Sequence, residues 1–367
     1  MRIAHVTTVH PRDDIRIFRK ECLSLAAAGY ETHLVVGDGL GDELRDGVHI
    51  TDIGAAPLGR MKRMREQPRR ALQTLRRLAP AVVHFHDPEL LPMGARWVRE
   101  GGIAVYDAHE DVPRQILTKQ WIPAPLRRPL AWAFERYENA LVRRLSAVVA
   151  ATPHIAQRFA AVQSRSVSVC NFPSLDELSL PTGDARRENA VCYVGGITRT
   201  RGIRELVRAI ELLAGVRLIL CGDIEDAALE AQLRAMPGWS QVEYLGRVGR
   251  AEVREVMARS RAGMVTLLPM PSYMDALPIK MFEYMSAALP VIASDFPVWR
   301  EIVVSAQCGL CVDPTQPAAI ADAIRTLLAE PERAEQMGRA GRLAIERQFN
   351  WPHQERRLLD FYRTLIA

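Results

Sequence analysis

The sequence predicts an α/β protein made of two doubly wound parallel sheets in tandem, and three observations carry that expectation. Short apolar, β-branched runs alternate with longer segments of helical period along most of the chain. The runs are apolar throughout rather than at every second position, the pattern of strands covered on both faces by helices. The alternation lapses once, in the polar, turn-rich stretch Pro181-Thr-Gly-Asp-Ala-Arg-Arg-Glu-Asn189, and then begins again. A chain of 367 residues is too long for one ordinary core and suits two domains of about 150–200 residues each. The expected division is 1–180 and 189–350, followed by a helical tail.

In the first half the strand-like runs are 3–7, 32–36, 81–85, 103–106 and 147–151. Helical periodicity covers 15–28, closed by Gly29, then 88–100, closed by Gly101, and 126–145. The second half gives strands at 190–194, 216–221, 242–244, 263–267, 290–294 and 309–312, with helices at 203–213, 227–235, 251–259 and 318–328. Two more helices, 332–349 and 351–366, have no strand after them. Parallel sheets bind ligands at the carboxyl ends of their strands, so two in tandem offer two sets of strand ends facing across a cleft.

Composition excludes several classes. Apolar residues make up 48% and charged residues 25%, which is globular rather than disordered. The apolar stretch at the start is shorter than a signal peptide needs, and Arg12-Asp13-Asp14 interrupts it. No run approaches the roughly 18–20 apolar residues that span a bilayer. A cytoplasmic protein is expected. The net charge of +5 favours anionic partners. Six cysteines are scattered, and Cys308-Gly-Leu-Cys311 is a lone pair without a second one, so buried free thiols compete with a zinc or redox site.

The most informative stretch is Asp275-Ala-Leu-Pro-Ile-Lys-Met-Phe-Glu283, followed by an apolar strand. A loop entering a helix offers free N–H groups and a positive dipole end to an anion such as phosphate. A carboxylate one turn further in can hold vicinal hydroxyls, such as those of a ribose. The same residues also fit an ordinary packing unit in which Lys280 and Glu283 form a solvated pair. Upstream, Gly195-Gly196-Ile-Thr-Arg199-Thr-Arg201-Gly202 follows a strand and opens a helix. Its glycines would let N–H groups approach an anion and its arginines neutralise a diphosphate, or it is a plain strand–helix turn. Its spacing is not a dinucleotide fingerprint.

In the first half, Val83-His84-Phe85-His86-Asp87 ends one strand and Val105-Tyr-Asp107-Ala-His109-Glu110-Asp111 the next. Histidines and carboxylates at neighbouring strand ends suit general acid–base work, hydrogen bonding to a polar acceptor or, less well given their spacing, a metal. Asp13, Asp14 and Arg16 follow the first strand, where they either cap a helix or face the same crevice. Seven basic residues between 61 and 77 stand against Glu66 alone, and 121–144 mixes Trp121, Trp132, Phe134 and Tyr137 with five arginines. This suits an anionic membrane surface or a solvated basic face; no nucleic-acid module is present.

Together these pieces resemble glycosyltransferase family 4, of GT-B architecture, over essentially the whole chain. Asp275 to Glu283 and the following small residue, Pro290 and strand resemble the family's signature of two glutamates with seven residues between them. The resemblance implies two Rossmann-like domains and, from Phe349-Asn-Trp351 onward, a helix (351–367) crossing back to the first. It implies that Glu283 holds the ribose of a nucleotide-sugar donor and that Asp275 contacts the sugar. Gly195, Gly196, Arg199, Arg201, Leu277, Pro278 and Lys280 would surround the phosphates. His109, Asp275 and Arg201 are the expected catalytic set, and Asp13, Asp14, Arg16, His84, His86 and Glu110 the acceptor-side candidates. The implied reaction is a retaining, metal-independent sugar transfer to a carbohydrate, lipid-linked or small-molecule hydroxyl, with no cofactor. Polysaccharide, glycolipid or glycosylated natural-product synthesis would be its setting, peripherally at the inner face of a membrane. A nucleotide-sugar epimerase or hydrolase and a non-catalytic nucleotide-sugar or phospholipid binding protein are the alternatives. Three departures stand out: Asp275 is one methylene shorter than the usual Glu, Gly196 stands where an Arg is usual, and His10-Pro-Arg-Asp-Asp14 replaces a Gly-Gly loop.

Overall fold

The computed structural model of the protein describes residues 1–119, 121–175 and 187–366. It divides into two compact units, Met1–Asn171 with Trp351–Ala367, and Phe172–Asn350. The linker expected at 181–189 lies outside the described residues as far as 186.

The first unit carries β1 (Arg2–Val6), β2 (Glu31–Val36), β3 (Glu43–Arg45), β4 (Val48–Asp52), β5 (Val82–Phe85), β6 (Ile103–Ala108), β7 (Ala147–Ala150) and β8 (Ser166–Ser168). Their order is β3-β4-β2-β1-β5-β6-β7-β8, parallel except for the β3–β4 pair. Alternate strand residues feed opposite faces. Ala4, Val6, Val83, Phe85 and Tyr106 share one cluster, while Ile3, Val82 and Val105 pack with Trp351, Leu358 and Tyr362 of the final helix, Trp351–Ile366. Each Val, Leu, Ile or Phe among them, fully buried, contributes about 1.5–3 kcal/mol. The strand order reverses at β1, which lies between β2 and β5, and doubly wound sheets take ligands at such a reversal.

The helices Arg60–Leu78, Val112–Thr118 and Pro153–Ala160 and strand β8 add to the expected elements of this unit, and two further regions differ from expectation. The hairpin β3–β4 is absent from the expected strands, because its turn-rich approach masks two short strands of which only Val48 and Ile50 are buried apolar residues. The helix expected over 15–28 begins as a π-helical stretch, Ile17–Cys22, before turning α over Leu23–Ala27. There Arg19 N–H bonds back to Asp14 C=O and Glu21 N–H to Arg16 C=O, five residues apart. The wider turn accompanies burial of Arg16, Lys20 and Glu21.

The second unit carries β9 (Ala190–Val194), β10 (Arg217–Cys221), β11 (Val242–Gly246), β12 (Ala262–Val265), β13 (Val291–Ser294) and β14 (Gly309–Val312). All pair in parallel, in the order β11-β10-β9-β12-β13-β14, and β9 marks the reversal. The helix Ile203–Glu211 forms because Ile203, Leu206, Val207 and Ile210 recur on one face, all buried against this sheet. Gly202 starts it with φ 71°, and a Cβ there would collide with the Thr266 carbonyl. The helix Pro297–Ser305 was not expected; it opens on Pro297, a residue that also marks turns. Five cysteines are buried and Cys311 is half-buried, all free thiols. Burial pushes the Cys192 thiol up to about 12. Among the described residues no helix is long and apolar enough to cross a membrane.

Candidate active site

In the second unit the glycine loop leaves the end of β9 at the strand reversal. Gly195 has φ 148°, and a Cβ placed there would lie 3.5 Å from Lys280 Cε and from the Tyr193 hydroxyl. Tyr193 donates to Gly196 C=O at 2.9 Å, and Arg201 stands beside the same hydroxyl. Arg201 also lies 5.7 Å from the centre of the Tyr273 ring. The loop that resembles the family signature is held from below, where buried Trp299 donates its indole N–H to Ala276 C=O at 2.7 Å. Leu277 and Pro278 are half-buried and Asp275 is exposed. Pro278, in extended conformation, starts the helix Ile279–Ser286.

Glu283 is only 3% exposed. Its Oε2 accepts from Lys280 Nζ and its Oε1 from Arg250 Nη1, both at 2.7 Å. The solvated pair of the packing reading is therefore replaced by a buried carboxylate with two cations. Burial works to raise its pKa, but Lys280 and Arg250 outweigh it, and the group is held below the usual range as an anion. A carboxylate has about four acceptor positions, so two bonds leave capacity for hydroxyl donors. Tyr193, beside Arg201, and Lys280, bonded to Glu283, thus both approach Gly195. Arg199 turns elsewhere, to Asp226 at 3.0 Å, with both side chains exposed.

In the first unit the strand ends converge around Asp107. Arg16 binds it with two parallel bonds of 2.8 and 2.7 Å and donates a third, at 2.7 Å, to Val169 C=O. His86 Nδ1 and His109 Nε2 each lie 3.0 Å from Asp107 Oδ2. His109 keeps 17% of its side chain in solvent and packs against the His10 ring, with centroids 4.9 Å apart. Asp14 accepts from the N–H groups of Arg16 and Ile17 and faces His10. Burial opposes its charge, yet the bonds from His10 and Ile17 bring its pKa down to about 2. Asp13 and Glu110 are exposed, and Glu110 accepts from the Gln115 amide.

Three acceptor-side expectations need correction. The His86 side chain is fully buried, with its two ring nitrogens engaged by Asp107 and His5. His84 is fully buried and bonds Tyr362 at 2.7 Å, because its strand parity points it at the final helix rather than at a crevice. Arg16 is 4% exposed and committed to Asp107, Val169 and Glu21, which leaves its guanidinium little freedom to meet a ligand. Glu21, His84, His86 and Asp107 bring ligand-type atoms within 4.8 Å of one another. A cation already stands among them: Arg16 Nη2 lies 2.7 Å from Asp107 and 3.2 Å from Glu21. Sequence reasoning missed Arg250, Tyr193, His5 and Tyr362 altogether. Their roles come from contacts between distant segments, and none sits in a motif.

A family model described as Glycosyltransferase Family 4 matches residues 16–171, and one described as Glycosyl transferases group 1 matches 179–344. The chain belongs to glycosyltransferase family 4. The family's GT-B fold is reproduced here. A sucrose-phosphate synthase from Thermosynechococcus elongatus superposes with a TM-score of 0.80 at 20% identity, covering 100% of this chain and 99% of that one. Anabaena HepE, solved in complex with UDP-glucose, gives 0.74 at 14% identity over 99% and 100%. Among curated relatives, alpha-maltose-1-phosphate synthase of Mycolicibacterium smegmatis is 33% identical over 190 residues, 48% of each chain. Phosphatidyl-myo-inositol mannosyltransferase of Mycobacterium leprae is 27% identical over 298 residues, 78% of this chain and 74% of that protein. The match to the first of these relatives spans about half of its length.

Proposed function

We propose that this member of the family is a retaining glycosyltransferase that moves a sugar from a nucleoside-diphosphate donor to a hydroxyl acceptor. The observation that carries the reading is Glu283, a buried anion with spare acceptor capacity beside a glycine loop and two cations at the strand reversal of the second unit. Its oxygens take the ribose hydroxyls. Lys280, Arg201 and the N-terminal N–H groups of the helix Ile279–Ser286 meet the diphosphate. As the bond from the anomeric carbon to the diphosphate breaks, its electron pair stays on phosphate oxygen, where these groups stabilise the growing charge. The acceptor oxygen bonds the anomeric carbon on the same face and gives its proton to the departing diphosphate. These cations supply the charge that a metal would otherwise carry, so transfer proceeds without a divalent ion. Asp275, exposed at the loop tip, contacts the sugar in this reading, and its short reach sets the sugar preference.

His109, with Asp13, Asp14 and Glu110, forms the acceptor side, and buried His86 stands behind it. The first unit also carries a surface suited to an anionic bilayer. Leu58 is 96% exposed and Met61 80%, and Arg60 lies 5.8 Å over the ring of Trp121, itself 69% exposed. Trp132 stands out with Arg136 at 5.0 Å over it. Apolar tips ringed by arginine fit an interface better than bulk water. A lipid-linked acceptor would be met there.

A thermal-shift panel of uridine, guanosine and adenosine diphosphates tests the donor, because binding raises the melting temperature with affinity. One should stabilise the protein, and turnover with its sugar should persist in excess chelator. Donor consumption independent of any acceptor would favour a hydrolase or epimerase. Co-flotation with anionic vesicles at low salt tests the surface; failure to float rejects it.

A further inference from the structure

The cluster behind His109 is a directed chain of hydrogen bonds, and its directions follow one from another. Asp107, ionised against Arg16, only accepts. His86 Nδ1 at 3.0 Å must therefore donate to it. Burial depresses the pKa of His86 to about 4, so the ring is neutral and its Nε2 accepts. His5 Nδ1, 2.9 Å away, then donates to His86 Nε2. His5 is neutral too, chiefly through burial, and its Nε2 accepts from the Tyr362 hydroxyl at 3.3 Å. That hydroxyl in turn accepts from His84 Nδ1 at 2.7 Å. The chain ends on His84 Nε2, a buried nitrogen with no hydrogen-bond partner, as expected of the terminal lone pair. At the other end His109 Nε2 shares Asp107 Oδ2 with His86, and the two ring nitrogens are 3.1 Å apart.

We propose that Asp107, His86, His5 and Tyr362 are positioning residues for His109, fixing its proton on Nε2 and leaving Nδ1 as the acceptor that meets a substrate hydroxyl. The inference rests on the reading of His109 as a residue of the reacting centre. The chain explains why a tyrosine on the last helix matters to a strand end more than 250 residues earlier, since Tyr362 and His84 are 278 positions apart. Without the Tyr362 hydroxyl, His5 Nε2 loses its donor and can take the proton itself. His86 then turns its proton toward His5, and its bare Nδ1 draws the His109 N–H away from the carboxylate.

Nitrogen-15 histidine labelling of the full chain, read by imidazole proton–nitrogen correlation, tests the assignment. His5, His84 and His86 should carry their protons on Nδ1, the minor form of free histidine in water, and His109 on Nε2. His86 protonated on Nε2, or His109 on Nδ1, overturns the proposal in the wild-type protein. Tyr362→Phe keeps the ring and its packing; it should mix the His5 and His86 tautomers and lower kcat by about tenfold with the donor KM unchanged. His109→Gln is measured alongside. Full turnover in that variant refutes the site reading beneath the inference. Lost turnover there, with wild-type tautomers and kcat in Tyr362→Phe, refutes the inference alone.

Discussion

Glu283 and Asp107 are both buried carboxylates clamped by cations near a strand reversal, and the difference lies in the cations. Arg16 is as buried as its partner, at 4% against 0%. Lys280 and Arg250 keep 30% and 41% of their side chains in water while Glu283 keeps 3%. A half-exposed cation can leave one anion for another at little cost, whereas a sealed one strands a charge when removed. The same pairing is therefore suited to ligand exchange in the second unit and to rigid alignment in the first.

The largest effect that would sharpen this contrast is on stability. Arg16→Ala leaves Asp107 unpaired in the core and should cost about 3–5 kcal/mol by denaturant titration. Arg250→Ala should cost under about 1 kcal/mol, because solvent screens what remains and Lys280 stays in place. Equal losses would break the distinction.

Acid should separate the units next. All nine histidines lie outside Phe172–Asn350. Burial, first of all causes, lowers the pKa of His5, His84 and His86. The unfolded chain binds protons at these three from about 6.5 downward while the folded one does not, so stability is lost as pH falls toward the folded value of about 4 for His86. Glu21 acts oppositely: burial and Asp107 raise its pKa, and the stability it contributes in acid is lost as pH rises. His33 acts with these histidines, and Glu138 and His10 act with Glu21; the three fully buried histidines set the direction, a loss of stability as pH falls from roughly 6.5 toward 4.5. Hydrogen exchange should show the first unit opening in that window with the second protected; simultaneous opening would contradict the assignment.

A smaller effect concerns the arginines of the glycine loop. Arg201→Ala should weaken nucleoside diphosphate binding by about tenfold. Arg199→Ala should weaken it less, since Arg199 is engaged with Asp226. The reverse order would make Arg199 the substitute for the basic residue missing at Gly196.

The alternation of strands and helices was legible because a parallel sheet buried on both faces writes itself in local apolar runs, as at Ile3 and Val83. The donor loop was legible because its residues are consecutive. Asp107 and Arg16 are 91 positions apart and Glu283 and Arg250 33, and no periodicity links them. His84 was misplaced because a strand-end histidine reads the same whether it faces solvent or a helix added 278 residues later.

Calorimetry of Glu283→Ala against wild type, with the diphosphate that stabilises the protein best, tests the central claim most directly. The account predicts binding lost beyond detection with the fold retained, since Lys280 and Arg250 turn to water. Undiminished affinity would contradict it and return Glu283 to an ordinary packing role.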